Sequence, residues 1–187
     1  MKYPLLGAAL MIAAPAFAQD AVAPTMGPSP TVAEQTAPRP HRAPGITTDN
    51  AVEAAMAANA YCAALPKNYR TTTLVADSAG VPIALISFDN AAAITQRIAM
   101  GKVQLVLKYK MKSIDAVAKA KADPAFAAEL AADPQIVAAR PGGIPILSHG
   151  RIVGALAVSG TPDGHDDECA EAGLKKIADR ISLGLAK

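Results

Sequence analysis

The run Arg151–Ser159 (RIVGALAVS) constrains the fold more than any other stretch of this chain, because it is apolar at nearly every position. Such a strand is typical of the centre of a sheet that is covered on both faces. Gly142-Gly143 precedes a short strand over Ile144–Ser148, and His149-Gly150 supplies turn residues between the two. The sequence therefore predicts a hairpin whose second strand lies inside a sheet.

A second hairpin is predicted earlier in the chain. Thr71–Ala76 is rich in β-branched residues, Asp77–Gly80 is a turn sequence, and Val81–Phe88 is the returning strand. Apolar spacing and proline breaks predict four helical segments. The first begins at 48–50 and ends before Pro66. The others cover 91–111, 113–132 with a break at Asp123-Pro124, and 166–186. The order helix, hairpin, helices, hairpin, helix predicts one α+β domain with an antiparallel sheet.

Two helices have informative apolar faces. The first helix is predicted to turn inward Val52, Ala55, Met56, Asn59, Cys62 and Ala63. The helix over 91–111 has two stripes on roughly opposite sides: Ile94, Ile98, Gly101, Leu105 and Tyr109, and then Met100, Val103, Val106 and Leu107. A helix that is apolar on two sides is either deeply buried or contacts something besides its own sheet. A second subunit and an apolar ligand are the two candidates.

The N-terminal residues predict export. Lys2 precedes an apolar run over Leu5–Ala14, and Ala16–Ala18 has the small residues that signal peptidase recognises. We therefore interpret residues 1–18 as a signal peptide, 19–46 as a Pro/Ala-rich disordered linker and 47–187 as the globular domain. The expected location is the periplasm or the extracellular space.

Charge argues against nucleic acid as a partner, and the lengths of the apolar runs argue against membrane insertion. The chain has 18 Lys and Arg against 16 Asp and Glu, and removal of Lys2 with the signal leaves 17 against 16, a net charge of +1. Nucleic-acid binding favours a clustered basic face, which this sequence lacks. No second apolar run is long enough to span a bilayer, so we expect no stable membrane insertion.

Export changes how the two cysteines are interpreted. Cys62 and Cys169 are the only cysteines in the sequence, and in an oxidising compartment one disulfide is the simplest expectation. Two separate buried thiols remain the alternative. A zinc site is disfavoured, because no histidines stand at ligand spacing from the cysteines.

Four strings of residues together resemble one protein family. They are TLVADSAGVPIALISFDNA, RIAMGK, GGIPILSHGRIVGALAVSG and DDECAEAGL, and the resemblance that they carry covers about 49–186. The sequence resembles the GlcG/HbpS-like haem-binding, haem-degrading domain family, to which a domain of a corrinoid adenosyltransferase is related. The resemblance implies a layered sheet-and-helix architecture of the profilin or PAS kind, homo-oligomers, and haem as cofactor with oxidative haem breakdown in some members.

The resemblance and the residue chemistry together nominate site residues. The ligand-binding candidates are Asp89, Met100, Lys102, Tyr109, Gly142, Gly143 and Ser159. Lys102 is expected to pair with Asp89, or else with a haem propionate. Ser87 and Asn90 depart from the arginine and the glycine that the family commonly has there.

Histidines are the remaining candidates, since haem iron is usually held by His, Cys, Met or Tyr. His149 is a candidate iron ligand at a hairpin tip, where a solvated side chain is the ordinary case. His165, beside Asp163, Asp166 and Asp167, is a weak metal candidate. We expect an exported haem-binding protein with haem-degrading or protective activity. The alternative is an oligomeric interaction module, or one that binds a small organic acid without haem.

Overall fold

A computed structural model of the chain describes residues 45–182. The predicted signal peptide and nearly all of the predicted linker lie outside these residues. The elements are α1 (Thr48–Ala64), β1 (Thr72–Asp77), β2 (Pro82–Ser87), α2 (Ile94–Tyr109), α3 (Ser113–Ala122), α4 (Pro124–Ala132), β3 (Gly143–Ser148), β4 (Arg151–Ser159) and α5 (Asp166–Ser182). Both predicted hairpins and the helix break at Asp123-Pro124 are confirmed.

The four strands form one antiparallel sheet in the order β2-β1-β4-β3. The prediction that β4 is central is confirmed, since it pairs with β1 on one side and β3 on the other and is buried from Gly154 to Ser159. β1 is buried along its whole length as well. The strand order leaves β2 and β3 at the two edges of the sheet.

Helices cover both faces of the sheet. On one face α1 and α5 pack against alternate strand residues, which include Val75, Ile146 and Leu156. On the other face α2 packs against the intervening residues, which include Leu74 and Ala157. The result is a single α+β domain with helices on both sides of an open sheet, as predicted.

The two-sided apolar character of α2 has an internal cause. Val103 and Val106 face the sheet, whereas Leu105 packs on the opposite side in a cluster with Phe126, Leu130 and other residues of the α3–α4 region. The middle of α2 is therefore buried between two layers, whereas Ile94 and Met100 are 48% and 47% exposed. The side of α2 that carries Leu105 is covered by the α3–α4 region and needs neither a partner subunit nor a ligand.

The buried face of α1 differs from the prediction in part: Ala55, Asn59 and Cys62 are buried as predicted. Val52 and Met56 are 41% and 45% exposed, while the neighbouring alanines Ala51, Ala54 and Ala58 are buried. The reason is a close approach to α5 at Gly173, where an added Cβ would lie 2.7 Å from the Ala54 carbonyl oxygen. Small residues set this helix–helix distance, so the larger apolar side chains of α1 point outward.

The same pair of helices carries the expected disulfide. Cys62 on α1 and Cys169 on α5 are bonded, with their Cα atoms 5.5 Å apart, and both side chains are buried. Residues 45–182 contain no helix that combines the length and the apolar character needed to cross a membrane.

Candidate functional site

Lys102 is the most deeply buried charged side chain near the predicted site. α2 carries it into the domain with no exposed surface, and its Nζ donates to the Val158 carbonyl at 2.6 Å and to Asp166 Oδ2 at 2.7 Å. The expected pair with Asp89 is wrong: the partner lies at the first turn of α5, 64 residues away in sequence. A buried ion pair of this kind fixes the position of α5 against α2.

Burial changes the pKa values of Lys102 and of the neighbouring Asp167. Burial lowers the pKa of the Lys102 amine, and the carboxylate of Asp166 acts against that change. Burial raises the pKa of the half-buried Asp167. Its Oδ1 accepts from the Gly142 backbone N–H at 2.7 Å, and its Oδ2 is buried without a hydrogen-bond partner among residues 45–182.

The glycine pair leading into β3 allows the backbone to approach this centre. Gly142 has a φ of +110°, and an added Cβ would lie 2.6 Å from the Val158 carbonyl oxygen and 2.9 Å from Lys102 Nζ. At Gly143 an added Cβ would lie 3.1 Å from Lys102 Cβ. Both glycines, predicted as ligand-binding residues, are therefore required for packing around Lys102.

A cleft opens above this centre at the end of β4. It has a volume of 390 Å³. Its wall combines the start of α2, the segment before β3 and the β4–α5 loop, and includes Thr95, Ile98, Arg140, Ser159, Thr161 and Asp163. The predicted site residue Ser159 therefore does line a cavity, on the face of the sheet that α2 covers.

A second, larger cavity is an apolar groove along the free edge of β3. It has a volume of 710 Å³ and lies between β3 and α5. Its apolar wall includes Ile144, Pro145, Leu147, Leu174, Ala178 and Ile181. Lys112, Glu171 and Lys175 line it as well, and the imidazole of His149 lies at its hairpin end. A groove with these walls suits a flat apolar ligand that carries a few charges.

Three of the predicted ligand residues lie elsewhere. Met100 is 47% exposed and lines neither cavity. Tyr109 packs edge-on against Phe126, and its hydroxyl donates to Glu129 at 2.9 Å. Asp89 is exposed and lines a separate small pocket.

The departures from the family pattern near β2 have local explanations. Asn90 has a φ of +66°, a left-handed conformation that glycine adopts most readily and asparagine tolerates. Ser87 shares a hydrogen bond of 2.8 Å with Thr72 on β1. Both residues therefore fit the hairpin without an arginine or a glycine.

His165 lies close to two carboxylates, of which Asp163 already has other partners. Its Nδ1 is 3.2 Å from Glu168 Oε1, and its Nε2 is 4.0 Å from Asp163 Oδ2. The Asp163 carboxylate accepts hydrogen bonds from Lys67 and Tyr69, which lower its pKa to about 2. No group of three potential ligands arranged to hold a metal ion was found within residues 45–182.

The layered sheet and its flanking helices define a small α+β domain with an apolar groove. A family model described as "Haem degrading protein HbpS-like" matches residues 46–175, so the chain belongs to this HbpS-like family. No curated protein sequence matches the chain.

Solved structures share the fold. The Klebsiella pneumoniae protein ORFY has a TM-score of 0.66 at 18% identity, with 75% of this chain and 96% of that chain covered. A double mutant of HbpS from Streptomyces reticuli has a TM-score of 0.60 at 23% identity, with 81% and 97% covered. PduOC, solved as a haem complex, has a TM-score of 0.64 at 16% identity, with 71% and 95% covered.

Proposed function

We propose that this chain is an exported haem-binding protein that holds haem in the groove between β3 and α5. The observation that carries the proposal is an imidazole, that of His149, at the rim of an apolar groove of 710 Å³. Membership of the HbpS-like family supports haem as the ligand. PduOC, which was solved with haem bound, is a protein of the same fold and supports the same ligand.

His149 has the placement that an iron ligand needs. It occupies the left-handed position of the β3–β4 turn, with a φ of +49°, and its Nδ1 lies 3.1 Å from the Ser148 hydroxyl. A hydrogen bond at one ring nitrogen orients a histidine and leaves the other nitrogen to bind metal. No residue in the range 45–182 forms a hydrogen bond with Nε2 of His149. This nitrogen would bind the haem iron.

The other groove residues have the chemistry to contact the apolar ring and the propionates of haem. The aliphatic side chains on β3 and α5 would cover the apolar ring. Lys112 is already paired with Glu171 at 2.9 Å. Lys175 forms no ion pair with any residue in 45–182, so it is the cation available to a propionate. Bound haem supplies redox chemistry at its iron, and the residues of the groove bind and orient it.

The proposal extends to the whole exported chain. Residues 1–18 direct export, and residues 19–46 tether the domain outside the cytoplasm. N-terminal sequencing of the exported protein should begin at Gln19. Assembly into a homo-oligomer belongs to the same proposal, and the molar mass in solution tests it.

The test of haem binding is a haemin titration of the mature protein followed by the Soret band. Wild type should shift the band, and His149→Ala should lose most of that shift. His165→Ala is the matched control, because it removes a 40%-exposed histidine side chain that does not line the groove, and it should behave as wild type. A wild-type spectrum identical to that of free haemin would refute the function. A His149→Ala spectrum identical to wild type would refute the iron ligand.

A second pair of variants tests the groove itself. Leu147 on β3 and Leu85 on β2 are exposed leucines on opposite edge strands, at 53% and 42% exposure. Leu147→Glu should weaken haemin binding, since it places a carboxylate in the apolar wall, whereas Leu85→Glu should not. Equal effects of the two substitutions would exclude the groove. Loss of the Soret band with ascorbate or peroxide then measures haem degradation separately.

A further inference from the structure

The cleft at the end of β4 contains two polar groups that the fold does not use. Ser159 is only 3% exposed, and its hydroxyl forms no hydrogen bond with any residue in the described part of the chain. Ser159 pairs with Thr72 across the sheet, so its side chain lies on the α2 face, where the cleft opens. Its oxygen is not among the fully buried polar atoms that lack a partner within residues 45–182, so it keeps contact with the cleft and is available to a ligand.

Arg140 is the second unused group. It lines the same cleft and forms no ion pair or hydrogen bond within residues 45–182. The neighbouring carboxylates are already engaged: Asp163 by Lys67 and Tyr69, and Asp166 by Lys102 and Thr161. Arg140 is therefore the uncompensated charge in the wall of the cleft.

The two groups together specify one ligand chemistry. A guanidinium binds a carboxylate through two parallel N–H donors, and this geometry is the strongest that arginine offers. The Ser159 hydroxyl can donate to a second oxygen of the same molecule. The 390 Å³ volume suits a small metabolite, and the side chains of Ile98 and Pro141 provide apolar contact for its carbon atoms.

We propose that this cleft binds a small carboxylate with an oxygen substituent beside the carboxyl group, held by Arg140 and Ser159. The site is separate from the haem groove, because it lies at the C-terminal end of β4 whereas His149 precedes the N-terminal end of the same strand. The two cavities have no lining residue in common.

The test is calorimetric titration of the mature protein with sodium lactate. Acetate lacks the hydroxyl, and lactamide lacks the charge. Wild type should bind lactate more tightly than acetate, and lactamide should not compete. Arg140→Gln should raise the Kd for lactate at least about tenfold, the usual effect of losing a charged hydrogen bond. Ser159→Ala should weaken lactate binding and leave acetate binding unchanged.

Arg151→Gln is the matched control, since Arg151 is an exposed arginine at the opposite end of β4, and it should bind lactate as wild type does. Far-UV circular dichroism confirms that each variant is folded. Absence of lactate binding to wild type, or equal binding to Arg140→Gln, would overturn the proposal. Haemin titration of Arg140→Gln should match wild type, so failure of the haem proposal and failure of this one are distinguishable.

Discussion

The buried pair of Lys102 and Asp166 makes a quantitative prediction about stability. Lys102→Met keeps the length of the side chain but removes the cation, so Asp166 Oδ2 and the Val158 carbonyl both lose a donor. Removing one partner of a buried pair typically costs about 3–5 kcal/mol, because the remaining charge is left unpaired. This is a large part of the roughly 5–15 kcal/mol that stabilises an ordinary domain.

The Asp166→Asn variant should also respond to pH. In Asp166→Asn the buried amine loses the carboxylate that acts against the lowering of its pKa. The amine then releases its proton as pH rises, so stability should recover towards pH 9.

Urea unfolding followed by far-UV circular dichroism measures these changes; the chain has no tryptophan to report by fluorescence. The double variant Lys102→Met/Asp166→Asn should be more stable than the sum of the single effects predicts. Lys108→Met is the matched control, because Lys108 lies on the same helix and pairs with Asp133 at the same 2.7 Å, but its side chain is 48% exposed. It should destabilise the domain much less than Lys102→Met does, because solvent screens an exposed ion pair.

Two results would refute this reasoning. A coupling energy below about 0.5 kcal/mol in the double-variant cycle would mean that the two side chains act independently. A free energy of unfolding of Asp166→Asn that does not recover as pH rises would mean that the buried Lys102 amine does not determine the loss.

Two further predictions concern the disulfide and the acid side of the stability curve. Replacing Cys62 and Cys169 with alanine should lower the free energy of unfolding by about 4–5 kcal/mol for a loop of this length. The denatured, unreduced wild-type protein should show no free thiols. Two reactive thiols would contradict the disulfide bond. Asp163 has a pKa lowered to about 2, so the stability it contributes is present above pH 4 and is lost as pH falls from about 4 to about 2. In Asp163→Asn the free energy of unfolding, measured in urea at pH 2–5, should depend less steeply on pH. An unchanged dependence on pH would show that Lys67 and Tyr69 do not hold the carboxylate charged.

Local patterns predicted the elements that depend on neighbouring residues. The apolar run over Arg151–Ser159 indicated a central strand, and Asp123-Pro124 indicated a break between helices, because strand burial and proline geometry both show in short stretches of sequence. The disulfide followed from the cysteine count and the expected compartment. Each of these signals needs no knowledge of how distant segments meet.

The site depended on distant segments and was predicted only in part. Lys102 was nominated, but its partner Asp166 becomes a neighbour only after the β4–α5 loop folds against α2. The cleft and the groove arise between elements that are not adjacent in sequence, so Arg140 carried no sequence signal and His149 looked like an ordinary turn residue. The inward face of α1 was misjudged because Gly173, on another helix, favours alanines there.

The link between α1 and α5 has a consequence for resistance to proteases. The bond between Cys62 and Cys169 closes the backbone between them into a covalent ring that contains α2, α3, α4 and all four strands. A single cut in an exposed connection, such as that around Val137, which is 43% exposed, opens the ring without releasing a fragment. The nicked molecule keeps every layer attached, and it separates into two pieces only when the bond is reduced.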